Sequence, residues 1–136
     1  MDKKKVLIFG SNGLVGKSLN RVLNKSDKIS EIIPSTRNDT NLFSFTETKN
    51  TIEKVKPDLI INAAAKVGGI YANNTLRSDF IIENLKINMN ILEACINYEE
   101  IEIINLGSSC IYPLNAENPI KEESLLTGKL EPTNSP

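Results

Sequence analysis

Seven residues near the start of the chain, GSNGLVG, place glycines at positions 10, 13 and 16 between a strand pattern and a helix pattern. Residues 5–9 (KVLIF) are mostly apolar and predict a strand, whereas residues 14–24 have the apolar spacing of a helix. Four residues form the predicted apolar stripe of that helix: Val15, Leu19, Val22 and Leu23.

Each glycine in a loop of this kind has its own physical role. The first permits a tight turn, the second lets a pyrophosphate approach the backbone, and the third lets the helix pack closely on the strand. The N-terminus of the helix also carries partial positive charge that favours an anion. We therefore expect a dinucleotide site that includes the following residues: Gly10, Ser11, Asn12, Gly13, Leu14, Val15 and Gly16.

The letters Gly16-Lys17-Ser18 also match the end of the phosphate-binding loop of nucleotide hydrolases. That motif requires a glycine five positions before Gly16, where this chain has Ser11. Residues 105–109 contain no aspartate that could bind magnesium after a strand, as such hydrolases require. The spacing therefore favours the dinucleotide site over the hydrolase loop.

Strand and helix patterns alternate along the first 106 residues. The predicted elements in chain order are strand 5–9, helix 14–24, strand 31–33, helix 46–55, strand 59–65, helix 76–98 and strand 101–106. The predicted buried face of the last helix comprises Ile81, Leu85, Asn88, Leu92 and Cys95. Because the strands are apolar on both faces, we predict an α/β fold: a Rossmann-like, doubly wound parallel sheet.

From Ser109 onward this alternation stops, and prolines separated by polar residues predict a long loop. Long loops without secondary structure are uncommon in compact domains. We therefore expect the sheet to be truncated after its fourth strand, and residues 1–136 to form only part of a dinucleotide-binding domain.

The residues after the second strand bear on the choice of cofactor. An acidic residue there would accept the ribose hydroxyls of NAD, whereas an arginine would pair with the 2′-phosphate of NADP. Arg37 follows Ser35 and Thr36 with no acid directly before it, which favours NADP. The alternative is that Arg37 is a solvated loop residue and that Asp39 binds the ribose. Ala64, in a run of small residues after the third strand, is expected to lie against the cofactor.

Composition excludes several classes of function. With a net charge of −1 and no histidine, the chain offers neither a basic surface for nucleic acid nor a zinc site with its two cysteines. The N-terminal apolar run VLIF is too short for a signal peptide or a membrane span. We expect a cytoplasmic protein with no nucleic acid, membrane or metal partner.

Three longer motifs strengthen the glycine pattern: AAAKVGGIYANNT at residues 63–75, NLGSSCIYP at 105–113 and LLTGKLEPTNSP at 125–136. Together with the GxxGxxG spacing they resemble the GDP-L-fucose synthases, a family of extended short-chain dehydrogenases of the NAD-dependent epimerase/dehydratase type. Members epimerise GDP-4-keto-6-deoxy-mannose at C3 and C5 and reduce C4 with NADPH. The resemblance implies an enzyme that binds NADP and a nucleotide-sugar and is a homodimer when full length.

The resemblance also implies roles for residues near the fourth strand. Ser108 would hold the C4 oxygen, and Cys110 would be the base or acid of epimerisation. Three further residues, Leu106, Gly107 and Ser109, would contact the cofactor. The family's catalytic tyrosine, its lysine four residues later and its histidine would all lie beyond Pro136, so we expect the 136 residues alone to be inactive.

The residues taken without the resemblance leave plainer roles open. A serine pair after a strand is more often a turn or a helix cap, and a cysteine is more often a small buried apolar residue. Lys66 is expected to be a solvated loop lysine, and Cys95 a core residue. The alternative functions are a dinucleotide-binding module without catalysis and another sugar-nucleotide epimerase or dehydratase.

Overall fold

The computed structural model describes residues 3–132 and residue 134. The chain divides into two compact units, of which the first comprises residues 1–66 and 82–106 and the second residues 67–81 and 107–136. The first unit contains a sheet of four parallel strands in the order β2-β1-β3-β4. The strands are β1 (Lys4–Phe9), β2 (Ile29–Ser35), β3 (Leu59–Asn62) and β4 (Glu102–Asn105).

Four α-helices lie between and beside these strands in the sequence. They are α1 (Leu14–Leu23), α2 (Phe45–Val55), α3 (Ile70–Thr75) and α4 (Arg77–Cys95). Ser44 caps the N-terminus of α2, because its hydroxyl oxygen accepts a hydrogen bond from the Glu47 amide at 3.3 Å. Lys56 caps the C-terminus and adopts the left-handed conformation typical of a helix terminus.

The central strands β1 and β3 are buried on both faces of the sheet, and neighbouring residues of β1 point to opposite sides. Leu7 and Phe9 pack in one cluster with residues of α2 and α4, and Val6 and Ile8 pack in the other. Two residues of α1, Leu19 and Leu23, pack against the second cluster. Helices therefore cover both faces of a parallel sheet, and the predicted doubly wound α/β fold is confirmed.

The predicted buried face of α4 is wrong in most positions. Of the five predicted residues only Cys95 is buried and Asn88 half-buried, whereas the other three are exposed: Ile81, Leu85 and Leu92. The residues that pack on the sheet are Ile87, Ile91, Ala94 and Cys95. Both sets recur with helical spacing, so the sequence alone does not distinguish the two faces.

The predicted stripe of α1 is correct only in part, because Val15 and Val22 are exposed. Two further differences concern boundaries. Strand β3 ends at Asn62, so the alanines at 63–65 follow the strand, and β2 extends on both sides of the predicted 31–33. Helix α3 was not predicted, because its sequence IYANNT has no apolar period.

The second unit contains α3, the start of α4 and two short 3₁₀ turns, Ser109–Ile111 and Glu122–Ser124. Its loops are held by backbone hydrogen bonds, such as that from the Leu114 amide to the Lys129 carbonyl at 3.0 Å. Most of the C-terminal segment is therefore an ordered loop, as the prolines predict.

The two neighbouring residues Ile91 and Leu92 test the observed orientation of α4. Ile91 is 2% exposed and Leu92 is 58% exposed. We expect Ile91→Ala to lower the free energy of unfolding by about 2–5 kcal/mol, because it removes buried apolar contacts. Leu92→Ala is the matched control and should change it by less than about 0.5 kcal/mol. Urea unfolding measures both values, and a larger loss at Leu92 would contradict this orientation.

Candidate dinucleotide-binding site

A cavity of about 420 Å³ lies in the first unit at the carboxyl ends of β1, β2 and β3. Its lining combines the glycine loop, the loop after β2 and the alanines after β3: examples are Gly10, Gly13, Arg37, Phe43 and Ala64. In open parallel sheets this is the edge at which ligands bind. Its volume falls within the roughly 300–1,000 Å³ of small-molecule sites.

Gly10 occupies a position that no other residue type fits. Its φ of +74° lies in the left-handed region, and a Cβ there would lie 2.7 Å from backbone atoms of Ala63 and Ala64. The Gly13 amide donates a hydrogen bond to the Gly10 carbonyl at 3.0 Å, which closes the turn. The loop after β1 thus lies directly against the end of β3.

Gly16 brings the backbone of α1 against this turn. A Cβ at Gly16 would lie 2.2 Å from the Gly10 carbonyl oxygen and 2.7 Å from the Ser11 Cα. Ser11 is itself buried, and its amide donates to the Ser35 carbonyl at 3.1 Å, which ties the loop to the end of β2. The structural role expected for the third glycine is therefore seen at Gly16.

Helix α1 begins after Gly13, so its N-terminus lies at the cavity that Gly13 lines. The amides of Leu14 and Val15 belong to the first turn, in which backbone donors have no acceptor within the helix. Their side chains are exposed and do not line the cavity, whereas Asn12 does. Any contact of Leu14 and Val15 with a ligand in this cavity would therefore be made by the backbone.

The loop after β2 distinguishes Arg37 from Asp39. Arg37 lines the cavity, whereas Asp39 does not. One oxygen of the Asp39 carboxylate accepts hydrogen bonds from the Thr36 hydroxyl at 2.6 Å and the Thr36 amide at 2.8 Å. These two bonds stabilise the charged form, the hydroxyl bond more strongly, and lower the pKa of Asp39. The contacts favour Arg37 over Asp39 as the residue that would meet a ligand.

A buried asparagine joins the ends of β3 and β4. The Asn62 side-chain amide donates to the side-chain oxygens of Asn105 at 2.7 Å and Asn88 at 3.1 Å, and its own oxygen accepts from the Ala64 amide at 3.1 Å. The Leu106 amide donates to the Asn62 carbonyl at 3.1 Å. Ala64 lines the cavity and Leu106 does not, so the network fixes the backbone of both but only Ala64 adjoins the cavity.

Lys66 is not the solvated loop lysine that the sequence predicts. Its ammonium pairs with the Glu83 carboxylate at 2.5 Å, and both side chains are half-buried in the cavity wall. The Asn84 side chain also bonds both the Lys66 amide and the Lys66 carbonyl, at 2.8 and 3.0 Å. Lys66 is therefore held by α4, a contact with no local sequence signal because its partners follow it by 17 and 18 residues.

The remaining predicted residues, Gly107, Ser108, Ser109 and Cys110, belong to the second unit and are exposed. The Ser108 hydroxyl oxygen accepts a hydrogen bond from the Cys110 amide at 3.2 Å, so Ser108 caps the short 3₁₀ turn. This is the capping role that the sequence left open beside catalysis. A hydroxyl that accepts one hydrogen bond can still donate its proton, so capping does not remove that function.

Comparison with known proteins identifies the family. The NAD dependent epimerase/dehydratase family matches residues 6–136. The chain belongs to this family.

Two relatives in the family are similar to nearly the whole chain. A GDP-L-fucose synthase of Sinorhizobium fredii is 43% identical over 98% of this chain and 42% of its own length. A GDP-L-fucose synthase of Escherichia coli is 41% identical over 100% of this chain and 42% of its own length. The chain therefore spans less than half the length of these relatives.

A solved structure of similar fold is a GDP-mannoheptose C4 reductase from Campylobacter jejuni with NADP bound. Its TM-score to this chain is 0.85 at 31% identity, over 96% of this chain and 41% of that one. In the described part of our chain, no helix is both long and apolar enough to cross a membrane.

Sequence reasoning missed two features of the candidate site. The Asn62 network could not be found, because Asn62, Asn88 and Asn105 are far apart in the chain, and nothing in the motif that begins at Asn105 pairs it with the other two. Phe43, which lines the cavity, was also missed. An aromatic residue in a loop shortly after Arg37 was the only signal available for it.

The contact between Gly16 and the glycine turn gives a test of the loop. We expect Gly16→Ala to lower the free energy of unfolding by about 1–3 kcal/mol or more, because backbone must move to admit the methyl group. Gly69→Ala is the matched control, since a Cβ at Gly69 would meet nothing within 4 Å. In urea unfolding, the free energy of unfolding of the control should stay within about 0.5 kcal/mol of that of the unaltered protein. Equal effects at the two glycines would refute this packing.

Proposed function

We propose that the chain is the N-terminal portion of a GDP-L-fucose synthase. Such an enzyme epimerises GDP-4-keto-6-deoxy-D-mannose at C3 and C5 and reduces C4 with NADPH to give GDP-L-fucose. The observation that carries the proposal is the similarity to bacterial GDP-L-fucose synthases along nearly the whole of this chain. The homodimer and the cytoplasmic location expected from the sequence belong to the same proposal.

The residues around the cavity fit NADP. Gly10 and Gly13 leave room for backbone to approach a pyrophosphate beside the N-terminus of α1, and Arg37 supplies a guanidinium at the loop after β2. Ala64 presents only a methyl group at the end of β3, where a flat ring system could lie. When bound, NADPH would supply the hydride that reduces the C4 ketone.

Ser108 would act on the oxygen of that ketone. Removal of a proton from C3 or C5 places negative charge on the C4 oxygen, and hydride addition to C4 does the same. Ser108 already accepts a hydrogen bond from the Cys110 amide, so its hydroxyl proton is available for donation to this oxygen. Stabilising both charged states would make Ser108 a participant in both reactions.

Cys110 would move the protons at C3 and C5. The C4 ketone acidifies both of these C–H groups, so inversion requires one group that removes a proton and another that delivers its own proton to the opposite face. The Cys110 thiol is exposed and free of any disulfide. It can therefore serve as one member of this acid–base pair.

A second candidate is a reductase of a different GDP-sugar. The structural similarity to a GDP-mannoheptose C4 reductase favours it. Such an enzyme would use the same cofactor cavity. It would differ in the sugar accepted, which depends on residues outside the glycine loop and the loop after β2.

Proton exchange separates these candidates. The protein as its natural gene encodes it should convert GDP-4-keto-6-deoxy-mannose and NADPH in deuterated water into GDP-L-fucose carrying deuterium at C3 and C5. Mass spectrometry and NMR of the product measure the label. A product reduced at C4 without label would favour the second candidate, and no product would favour a dinucleotide-binding module without catalysis.

Variants of Ser108 and Cys110, in the second unit, test in the same assay which residue takes part in epimerisation and which in reduction. Ser108→Ala should slow label exchange and NADPH oxidation together, by about 10²–10³-fold, because both load charge on one oxygen. Cys110→Ser should slow label exchange by about 10²–10⁴-fold and leave reduction of the already epimerised ketone little changed. Equal losses in both steps for the cysteine variant would contradict its assigned role.

Binding measurements test the role of Arg37 separately from catalysis. Arg37→Ala should weaken NADPH binding by about 1.5–3 kcal/mol, as expected for lost hydrogen bonds to a charged group. NADH lacks the 2′-phosphate, so its affinity should hardly change. Calorimetric titration of both cofactors measures the two values. Tighter binding of NADH than of NADPH in the unaltered protein would remove the argument for NADP.

A further inference from the structure

Phe43 and Arg37 meet at the wall of the candidate cofactor cavity. The Arg37 guanidinium carbon lies 5.1 Å from the centroid of the Phe43 ring, within the range of a cation–π contact. Both residues line the cavity. The Phe43 side chain is half-buried and packs against the core cluster between the sheet and helices α2 and α4. The ring is therefore anchored in the core while it contacts an exposed cation.

The backbone on both sides of Phe43 is fixed by hydrogen bonds. Its own amide donates to the Asn41 side-chain oxygen at 3.1 Å, and the Ser44 amide donates to the Asn41 carbonyl at 2.9 Å. The Leu42 carbonyl accepts from the Asn90 side chain of α4 at 2.7 Å. The backbone that carries the ring is consequently fixed by contacts that do not involve Arg37.

The turn that carries Arg37 is also ordered, and its one carboxylate, that of Asp39, is bonded to Thr36. The Asp39 carboxylate bonds the amide and hydroxyl of Thr36, and the Thr40 amide donates to the Thr36 carbonyl at 3.1 Å. Among the described residues, no carboxylate lies within 4.0 Å of the Arg37 guanidinium. The ring contact is thus the interaction that the structure gives to this guanidinium.

We propose that Phe43 is a positioning residue that holds Arg37 for the 2′-phosphate and so sets the preference for NADP over NAD. The inference rests on the proposed function, in which Arg37 meets that phosphate. A cation–π contact uses the flat face of the guanidinium, whereas its N–H groups lie in the plane and stay available for a phosphate. Holding one face on Phe43 reduces the side-chain freedom that Arg37 would otherwise lose on binding.

The test uses 2′,5′-ADP and 5′-AMP as probes, because they differ at the 2′-phosphate and need no catalysis. Calorimetric titration of the protein as its natural gene encodes it gives the ratio of its affinity for 2′,5′-ADP to its affinity for 5′-AMP. Phe43→Leu keeps the apolar packing and removes the ring. It should therefore weaken the binding of 2′,5′-ADP by about three- to tenfold and change the affinity for 5′-AMP by less than about twofold. Phe43→Tyr keeps the ring and should preserve the ratio.

Two further variants separate positioning from a general structural effect. Phe45→Leu removes a nearby phenylalanine, the first residue of α2, and should leave the ratio unchanged. In an Arg37→Ala background, Phe43→Leu should cause no additional loss of discrimination, because Phe43 acts through Arg37. Arg37→Lys keeps the charge without the flat face and should lower the ratio even if Phe43→Leu does not fold.

The possible outcomes also distinguish this inference from the proposed function. If Arg37→Ala leaves the ratio unchanged, both the role of Arg37 and the inference are wrong. If Arg37→Ala lowers the ratio but Phe43→Leu does not, only the inference is overturned. Equal weakening of both probes by Phe43→Leu, or full discrimination retained by Arg37→Lys, would likewise overturn it.

Discussion

The site depends first on a contact that only glycine allows. Gly16 in α1 lies so close to the Gly10 carbonyl that a Cβ would overlap it, and a Cβ at Gly10 would lie only 2.7 Å from the backbone after β3. Because neither glycine has a side chain, the N-terminus of α1, the end of β1 and the loop after β3 can meet at one cavity. These are backbone approaches, so the proposed site for an anion at the N-terminus of α1 does not depend on a polar side chain.

The second support of this edge is the Asn62 amide, which is buried between β3 and β4. Both of its donors and its oxygen are bonded, to Asn105, Asn88 and the Ala64 amide. A buried amide left without partners costs about 1–3 kcal/mol, so the three contacts favour one relative placement of the strand ends and the alanine loop. Two residues after Ala64, Lys66 pairs with Glu83 of α4 and so attaches the same loop to that helix.

The sequence predicted the backbone part of this structure better than its side-chain part. The glycine loop, the order of strands and helices and the parallel sheet follow from spacing and apolar runs, which are local signals. The buried face of α4 could not be chosen, because Ile87 and Ile91 recur with the same helical period as Leu85 and Leu92. Only the position of α4 on the sheet decides between them.

The loop after β2 shows why the polar residues of the site needed the structure. In the sequence, Arg37 could bind the 2′-phosphate of NADP or Asp39 could bind the ribose, with opposite consequences for the choice of cofactor. In the folded turn one oxygen of the Asp39 carboxylate accepts two hydrogen bonds from Thr36, which lower its pKa, whereas Arg37 lines the cavity. The Asp39 carboxylate keeps its negative charge, but among the described ion pairs it has no contact with the Arg37 guanidinium within 4.0 Å, and it does not line the cavity. Of these two side chains, the one at the cavity wall is therefore the cation Arg37, which contacts an aromatic ring packed on the core.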